Sequence, residues 1–256
     1  PHRDARRHPP AAGAKVSFNP ASRSRLTSYD LKYFQGTTLF DRIGRVLCEP
    51  CCVPRKELFE SWEFAKRIRR RYRHLPPQSR VLDLACGHAL VAHFLLLLDD
   101  SLQSALAVDK KIPPSAARIS AALCATWPRL TGRIRLIEQK IDEVEVRADD
   151  LVVSAHACGA LTDDILSKAI GASARVVVMP CCQSIGKNDL GGMDGWLEPD
   201  LAVDVTRAAR LRGHGYAVHT QQIPASITAK NRLLFGEPRS SSGIDAGPEA
   251  SPDPGP

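Results

Sequence analysis

The chain is predicted to fold as a doubly wound α/β domain, and three features of its sequence support this prediction. Strand-like and helix-like segments alternate along most of the 256 residues. A strand-like run at Val81–Leu84 leads into a turn of small residues and then an apolar helix. Near the C-terminus two strand-like segments follow each other with no helix between them, which is typical of an antiparallel hairpin.

The elements predicted by this alternation form a seven-stranded, mostly parallel sheet with helices on both faces and the hairpin at its edge. Strands are predicted at residues 80–84, 104–109, 133–138, 150–156, 174–180, 215–223 and 231–236. Helices are predicted at residues 54–73, 88–99, 114–126, 162–170 and 198–212. Thr162 is expected to cap the helix after the fourth strand, because its hydroxyl can accept from free N–H groups.

Composition divides the chain into four segments: a basic tail at 1–27, a helical extension at 28–79, an α/β domain at 80–238 and a second tail at 239–256. The tails hold too few apolar residues to bury a core, so they are expected to be disordered. Residues 29–52 show an irregular pattern with scattered apolar anchors. The acid-poor start of the chain would also suit an organelle transit peptide.

The formal charge of +7 is concentrated near the N-terminus. Residues 1–79 hold 17 Lys and Arg against 7 Asp and Glu, a formal charge of +10. This excess favours a polyanionic partner, most simply RNA, with Arg69 and Arg70 on the outer face of the 54–73 helix as candidate contacts. A solvated, solubilising face would explain the same charges.

The apolar run around residues 94–98 is too short to span a membrane, so no membrane partner is expected. Eight cysteines are scattered among α/β elements, which favours a reducing compartment, most simply the cytoplasm, with an organelle as the alternative. The oligomeric state is not indicated.

The turn after the first strand has the spacing of a nucleotide-binding loop but only one glycine. Ala85, Gly87 and Ala89 occupy the positions that a dinucleotide-binding turn fills with glycine. With two alanines, the backbone is less able to approach a pyrophosphate closely. A nucleoside without phosphates is the better ligand. Asp83 ends the first strand, and Asp109 ends the next, where a carboxylate can bind ribose hydroxyls.

The run Asp83-Leu84-Ala85-Cys86-Gly87, together with Asp109, resembles motifs I and II of the S-adenosylmethionine-dependent methyltransferases. The resemblance implies a Rossmann-like fold and binding of S-adenosylmethionine by Asp83, Ala85, Cys86, Gly87, His88 and Asp109. It also implies that an acid after the third strand contacts the adenine amino group. Asp142 is the candidate, and Glu138, Glu143 and Glu145 are alternatives.

The fourth strand is followed by His156, Cys158, Gly159, Thr162 and Asp163, and the fifth by Cys181 and Cys182. This pattern resembles the branch containing the methyltransferase-like 25 group and the tRNA acceptor-stem ribose 2′-O-methyltransferases, although Gln183 replaces a frequent histidine. The run at 227–232 resembles the closing Thr-x-Lys-Asn-Arg run of that branch. The resemblance makes His156 and Cys158 the catalytic candidates. The candidate substrate-binding residues implied by the resemblance are Cys181, Cys182, Lys230, Asn231 and Arg232.

The resulting prediction is a methyltransferase that acts on tRNA or rRNA. A protein or small-molecule methyltransferase, or a non-catalytic RNA-binding or ribosome-assembly module that keeps the cofactor pocket, remains an alternative. No metal is predicted, although Cys48, Cys51 and Cys52 could join His156, Cys158 and Cys181–Cys182 around zinc or an iron–sulfur cluster.

Overall fold

The computed structural model describes residues 18–73, 75–76, 79–180 and 188–239, and these contain one seven-stranded sheet. Its order is β3-β2-β1-β4-β5-β7-β6. The first five strands pair in parallel, and β7 runs antiparallel to both β5 and β6, which confirms the predicted mostly parallel sheet with an antiparallel hairpin. The strands are β1 Arg80–Leu84, β2 Ser104–Asp109, β3 Ile134–Glu138, β4 Leu151–Ser154, β5 Arg175–Val178, β6 Tyr216–Gln222 and β7 Arg232–Pro238.

Helices cover both faces of this sheet. The α-helices within the described ranges are α1 Leu39–Cys48, α2 Arg55–Arg71, α3 Leu90–Leu98, α4 Pro114–Thr126, α5 Ala160–Gly171 and α6 Pro199–Gly213, and short 3-10 helices lie at Ser28–Tyr33, Pro128–Leu130 and Ile141–Glu143. One buried cluster joins α2, α3 and α4 to one face of the sheet, and a second joins α5 and α6 to the other. In the part of the chain that the structure describes, no helix is both long and apolar enough to cross a membrane.

Helix α1 lies within the predicted helical extension, at a place that the irregular pattern of residues 29–52 did not locate. The helix is capped by Thr38, whose hydroxyl accepts from the Asp41 N–H at 3.1 Å. Gly44 obscures the helical pattern, since glycine is a poor helix former. The glycine is needed because a Cβ at this position would overlap the ring of the buried Phe34.

Two helix starts differ from prediction because of left-handed residues. Helix α3 begins at Leu90 rather than at residue 88, since Ala89 has φ of +56°. Helix α5 begins at Ala160, and its N-cap is Gly159, with φ of +58° and ψ of −128°. The predicted N-cap role of Thr162 was therefore wrong, since this residue lies inside the helix.

Candidate active site

The loop between β1 and α3 contains three left-handed residues at a spacing of two. Ala85 has φ of +57°, Gly87 of +51° and Ala89 of +56°. These are the positions at which the sequence pattern places glycine. For the two alanines the conformation is costly, by about 1–2 kcal/mol each, because Cβ approaches the carbonyl oxygen. The surrounding structure therefore imposes the shape of this loop, which is typical of a ligand-binding turn.

Asp83 and Asp109 lie on one face of the sheet, at the ends of neighbouring strands. Asp83 pairs with Ala107 in the parallel register, and Asp109 is two residues further along β2, so the two side chains point to the same side. The Asp109 carboxylate accepts from the Gly87 N–H at 3.0 Å and from the Lys111 N–H at 3.3 Å. It thereby ties the end of β2 to the loop after β1.

The Asp83 carboxyl is buried beneath the loop rather than exposed in it. Only 2% of the residue is exposed, and its Oδ2 accepts from the Ala92 N–H in the first turn of α3 at 3.2 Å. Burial raises the pKa of Asp83 to about 8; the nearby charge of Asp109 adds to this rise, whereas the Ala92 hydrogen bond opposes it. Asp83 therefore holds β1 against α3, and its direct contact with a cofactor stays a prediction.

A cavity of about 560 Å³ opens beside the loop at the carboxyl ends of β1, β2 and β3. Ala85, Asp109 and Asp142 line it together with Lys110, Lys140 and Lys168. We call this the β1–β3 cavity. Asp142 belongs to the short 3-10 helix after β3, and Lys168 Nζ donates to its carbonyl oxygen at 2.8 Å. The structure thus brings together three of the residues predicted to bind the cofactor.

His88 connects the loop to two other elements. Its Nδ1 lies 2.8 Å and 3.0 Å from the carboxylate oxygens of Glu57 in α2, and its Nε2 lies 3.0 Å from Ser115 Oγ in α4. An ionised carboxylate only accepts, so Nδ1 carries a proton that it donates to Glu57, and Nε2 pairs with the Ser115 hydroxyl. Sequence reasoning missed both partners, which lie 31 and 27 residues away from His88.

A second cavity, of about 390 Å³, lies on the other side of the loop and contains His156. Its lining includes Gly87 and His88 from the loop and Arg23, Lys56, Glu57 and Glu60 from the N-terminal segment. We call this the His156 cavity. Gly87 and Ala85 are two residues apart in the loop and line different cavities, so the two cavities flank one turn of chain. That turn follows β1, which lies beside β4 at the point where the strand order reverses.

Buried polar contacts hold the segment after β4 that carries His156 and Cys158. The Thr162 hydroxyl donates to the Ala157 carbonyl at 2.8 Å. Arg207 of α6, only 2% exposed, donates to both carboxylate oxygens of Asp163 at 2.9 and 2.8 Å and to the Gly159 carbonyl at 3.0 Å. Nothing in the sequence pattern singles out Arg207. Cys158 is exposed, and its thiol donates to the His156 carbonyl at 3.5 Å.

The predicted substrate contacts Lys230, Asn231 and Arg232 lie at the carboxyl edge but line neither cavity beside the loop. Lys230 pairs with Asp200, and Arg232 Nε lies 2.6 Å from Asp204 Oδ2. The Asn231 amide donates to the Ile223 carbonyl at 2.8 Å and so closes the β6–β7 hairpin. Arg232 lines a separate cavity of about 450 Å³ with Pro180 and Asp204.

Arg69 and Arg70 lie at the far end of α2, away from both cavities. Arg69 Nε donates to the Leu98 carbonyl at 3.0 Å, and Arg70 lines a cleft beside Arg175, the first residue of β5. The structure therefore does not bring these arginines to His156. Cys181 and Cys182 fall outside the described residues. Among the residues that are described, no three His, Cys, Asp or Glu side chains are grouped to hold a metal.

The fold and this loop define a class I S-adenosylmethionine-dependent methyltransferase. A family model described as "Methyltransferase domain" matches residues 55–186, and the chain belongs to that family. The protein is thus an enzyme whose cofactor is S-adenosylmethionine. Among the curated proteins none matches the chain.

Several solved structures resemble the chain at low identity. An O-methyltransferase family protein from Burkholderia thailandensis is 16% identical over 83% of this chain and 68% of its own, with a TM-score of 0.44. A candidate RNA methyltransferase from Pyrococcus horikoshii is 15% identical over 72% and 84%, with a TM-score of 0.45. The mitomycin 7-O-methyltransferase is 15% identical over 84% and 64%, with a TM-score of 0.48. At these identities the likeness concerns the fold alone.

Proposed function

We propose that this protein transfers a methyl group from S-adenosylmethionine to an acceptor in RNA, with His156 as the base. The observation that carries the proposal is the His156 cavity, because it places an imidazole beside Gly87 and His88 of the cofactor loop. A histidine titrates near neutral pH and is therefore suited to accept a proton from a hydroxyl or ring nitrogen.

The β1–β3 cavity suits the adenosine part of the cofactor. Asp109 presents a carboxylate for the two ribose hydroxyls, and Asp142 offers an acceptor for the adenine amino group. Ala85, Cys86, Gly87 and His88 supply the backbone between the two cavities, and Asp83 holds that backbone from below. When bound, the cofactor supplies an electrophilic methyl group on a sulfonium.

The His156 cavity suits the amino-acid part of the cofactor, because its wall carries side chains of both signs. Lys56 Nζ lies 3.3 Å from Glu60 Oε1, and Glu57 contacts His88. A zwitterion needs both a cation and an anion as partners, and the N-terminal segment provides both here. Residues 28–79, which the sequence separates from the α/β domain, would then form part of the binding site.

His156 and Cys158 are proposed to act at the acceptor. Alignment of the acceptor with the methyl group supplies much of the rate in such a transfer, so the rigidity of the segment around His156 matters. Thr162 and the Asp163–Arg207 pair provide this rigidity. Thr162 and Asp163 belong to the His-x-Cys-Gly…Thr-Asp run, and this residue pattern is what supports membership of the methyltransferase-like 25 and tRNA 2′-O-methyltransferase branch.

RNA as the substrate is supported by charge. Residues 1–79 carry a formal charge of +10, and part of that charge flanks the candidate site as Arg23 and Lys56. Lys230 and Arg232 remain candidates for phosphate contacts at the same edge of the sheet, although each pairs with an aspartate of α6. Cys181 and Cys182 remain candidates from the sequence pattern.

The proposal is tested by comparing RNA nucleosides, by mass spectrometry, from cells with and without the gene. A methylated nucleoside that disappears identifies the acceptor atom. The purified His156→Ala variant should then lose about 100-fold in kcat on that RNA, since a positioned base contributes 10²–10⁴-fold. Its Kd for S-adenosylmethionine, measured by calorimetry, separates loss of the base from weaker binding of the cofactor in the His156 cavity.

The control is His214→Ala, which removes an exposed histidine that lines neither cavity. If His156→Ala is as active as the wild type, His156 is not the base. If the transferred methyl group appears in protein or in a small molecule but never in RNA, RNA is not the substrate of this enzyme. Cofactor binding without transfer to any acceptor would favour a non-catalytic RNA-binding module.

A further inference from the structure

A cluster of arginines lines a cleft at the edge of the sheet opposite the candidate active site. Arg70, Arg71, Tyr72, Arg73, Arg175 and Glu237 surround a volume of about 260 Å³, which we call the arginine cleft. Arg175 begins β5, and Glu237 lies near the end of the antiparallel β7. Both therefore mark the amino ends of the parallel strands, whereas the cofactor loop lies at their carboxyl ends.

The arginine cleft has an excess of positive charge. Four guanidinium groups line it against one carboxylate. Glu237 is shared, with Arg175 Nε at 3.0 Å and Arg71 Nη2 at 3.4 Å. The side chains of Arg71 and Glu237 are 42% and 30% exposed, and pairs with this exposure are weak and easily exchanged for another anion. The cleft therefore remains attractive to an anion with several oxygens.

A buried hydroxyl in the wall of the cleft points to the same kind of ligand. Tyr72 is 5% exposed, and among the described residues its Oη has no hydrogen-bond partner. Burial raises the pKa of Tyr72, so the hydroxyl keeps its proton at neutral pH and is a donor whose hydrogen bond is unsatisfied. A phosphate oxygen can accept from such a donor while the guanidinium groups compensate its charge.

The length of α2 sets the separation between the arginine cleft and the candidate active site. Glu57, near the start of the helix, contacts His88, and Arg70 near its end lines the cleft. Thirteen residues at 1.5 Å per residue place the two positions about 20 Å apart. A phosphate backbone advances about 3.4 Å per nucleotide along a duplex, so about six nucleotides are needed to cover that distance.

We propose that the arginine cleft binds phosphates of the RNA substrate at a distance from the methyl acceptor, so that the enzyme prefers RNAs long enough to reach both edges of the sheet. This inference rests on the proposed function. It adds a second contact surface, and it predicts that affinity depends on the length of the RNA.

The test uses fluorescein-labelled oligouridylates of 4 and 24 nucleotides and fluorescence anisotropy at several salt concentrations. Replacing Arg70, Arg73 and Arg175 by Ser should weaken binding of the 24-mer about 10-fold at 0.1 M salt. It should also make the plot of log affinity against log salt shallower by about 2, since three phosphate contacts are lost. The ratio of 24-mer to 4-mer affinity should fall, and the affinity for S-adenosylmethionine by calorimetry should be unchanged.

A matched control removes three exposed arginines elsewhere, Arg135, Arg147 and Arg212, and so changes the net charge equally. The Tyr72→Phe variant should lose about 5-fold in 24-mer affinity with the salt slope unchanged, because a hydrogen bond rather than a charge is removed. The inference is overturned if the cleft variant binds the 24-mer as the control variant does. If the wild type binds neither oligonucleotide nor tRNA at any salt concentration, the proposed function fails as well.

Discussion

The two edges of the sheet are built on different physical principles. At the carboxyl edge, buried or half-buried groups hold the loops through directed hydrogen bonds, as in the Asp109–Gly87, His88–Glu57 and Arg207–Asp163 contacts. At the amino edge, the described arginines are exposed or half-buried, and Arg71 and Arg175 share the carboxylate of Glu237. The first arrangement fixes geometry, which a transfer reaction needs. The second provides charge without fixed geometry, which suffices to hold a polyanion.

The largest effect on cofactor binding is expected for Asp109→Ala. The variant should bind S-adenosylmethionine about 100-fold more weakly, because two hydrogen bonds to a charged acceptor are lost. Calorimetry measures the affinity. Asp100→Ala, an exposed change remote from both cavities, is the control. An Asp109→Ala variant with wild-type affinity would show that this carboxylate only supports Gly87.

A smaller effect on binding, but a clear effect on folding, is expected for Arg207→Ala. The free energy of unfolding should fall by about 2 kcal/mol, because Asp163 and the Gly159 carbonyl lose a buried partner. This loss in the free energy of unfolding is smaller than the loss for a fully buried ion pair, because the Asp163 side chain is 32% exposed. Urea unfolding measures this free energy for Arg207→Ala and for the control Arg210→Ala, which changes a neighbouring arginine of α6. Equal losses in the two variants would contradict a special role for Arg207.

Features that depend on local sequence could be predicted, whereas contacts between distant parts of the chain could not. All seven strands could be placed within about two residues, because strand periodicity and the intervening helices are local signals. The spacing of Ala85, Gly87 and Ala89 predicted the position of the turn, but the left-handed conformations of the two alanines came only from the structure. The Arg207–Asp163 and Glu57–His88 contacts could not be predicted, since each joins residues more than 30 positions apart. Helix α1 escaped prediction because a tertiary contact with Phe34 requires Gly44 inside it.

The smallest functional effect is expected for Asp83→Asn, which should alter the pH profile of stability rather than cofactor binding. The pKa of Asp83 is about 8 in the folded protein and close to 3.8 when unfolded. Between these values the folded state holds one more proton, so stability falls as pH rises from about 4 to 8. Asparagine does not ionise, and its side-chain oxygen can still accept from Ala92.

Thermal unfolding between pH 5 and 8 provides the measurement for Asp83→Asn. The variant should show a flatter profile than the wild type and a higher Tm at pH 8. Asp100→Asn, at an exposed position, should follow the wild type. Parallel profiles for Asp83→Asn and the wild type would mean that the buried carboxyl ionises freely.

Helix α2 sets the distance between two surfaces, because one end contacts the cofactor loop and the other end carries arginines of the arginine cleft. Adding a single residue between Glu57 and Arg70 would turn the guanidinium groups by about 100° around the axis and shift them by about 1.5 Å. If both surfaces bind one RNA as proposed, the number of residues in this helix is constrained as well as their identity. A change of length would leave two intact surfaces that no longer fit the same molecule.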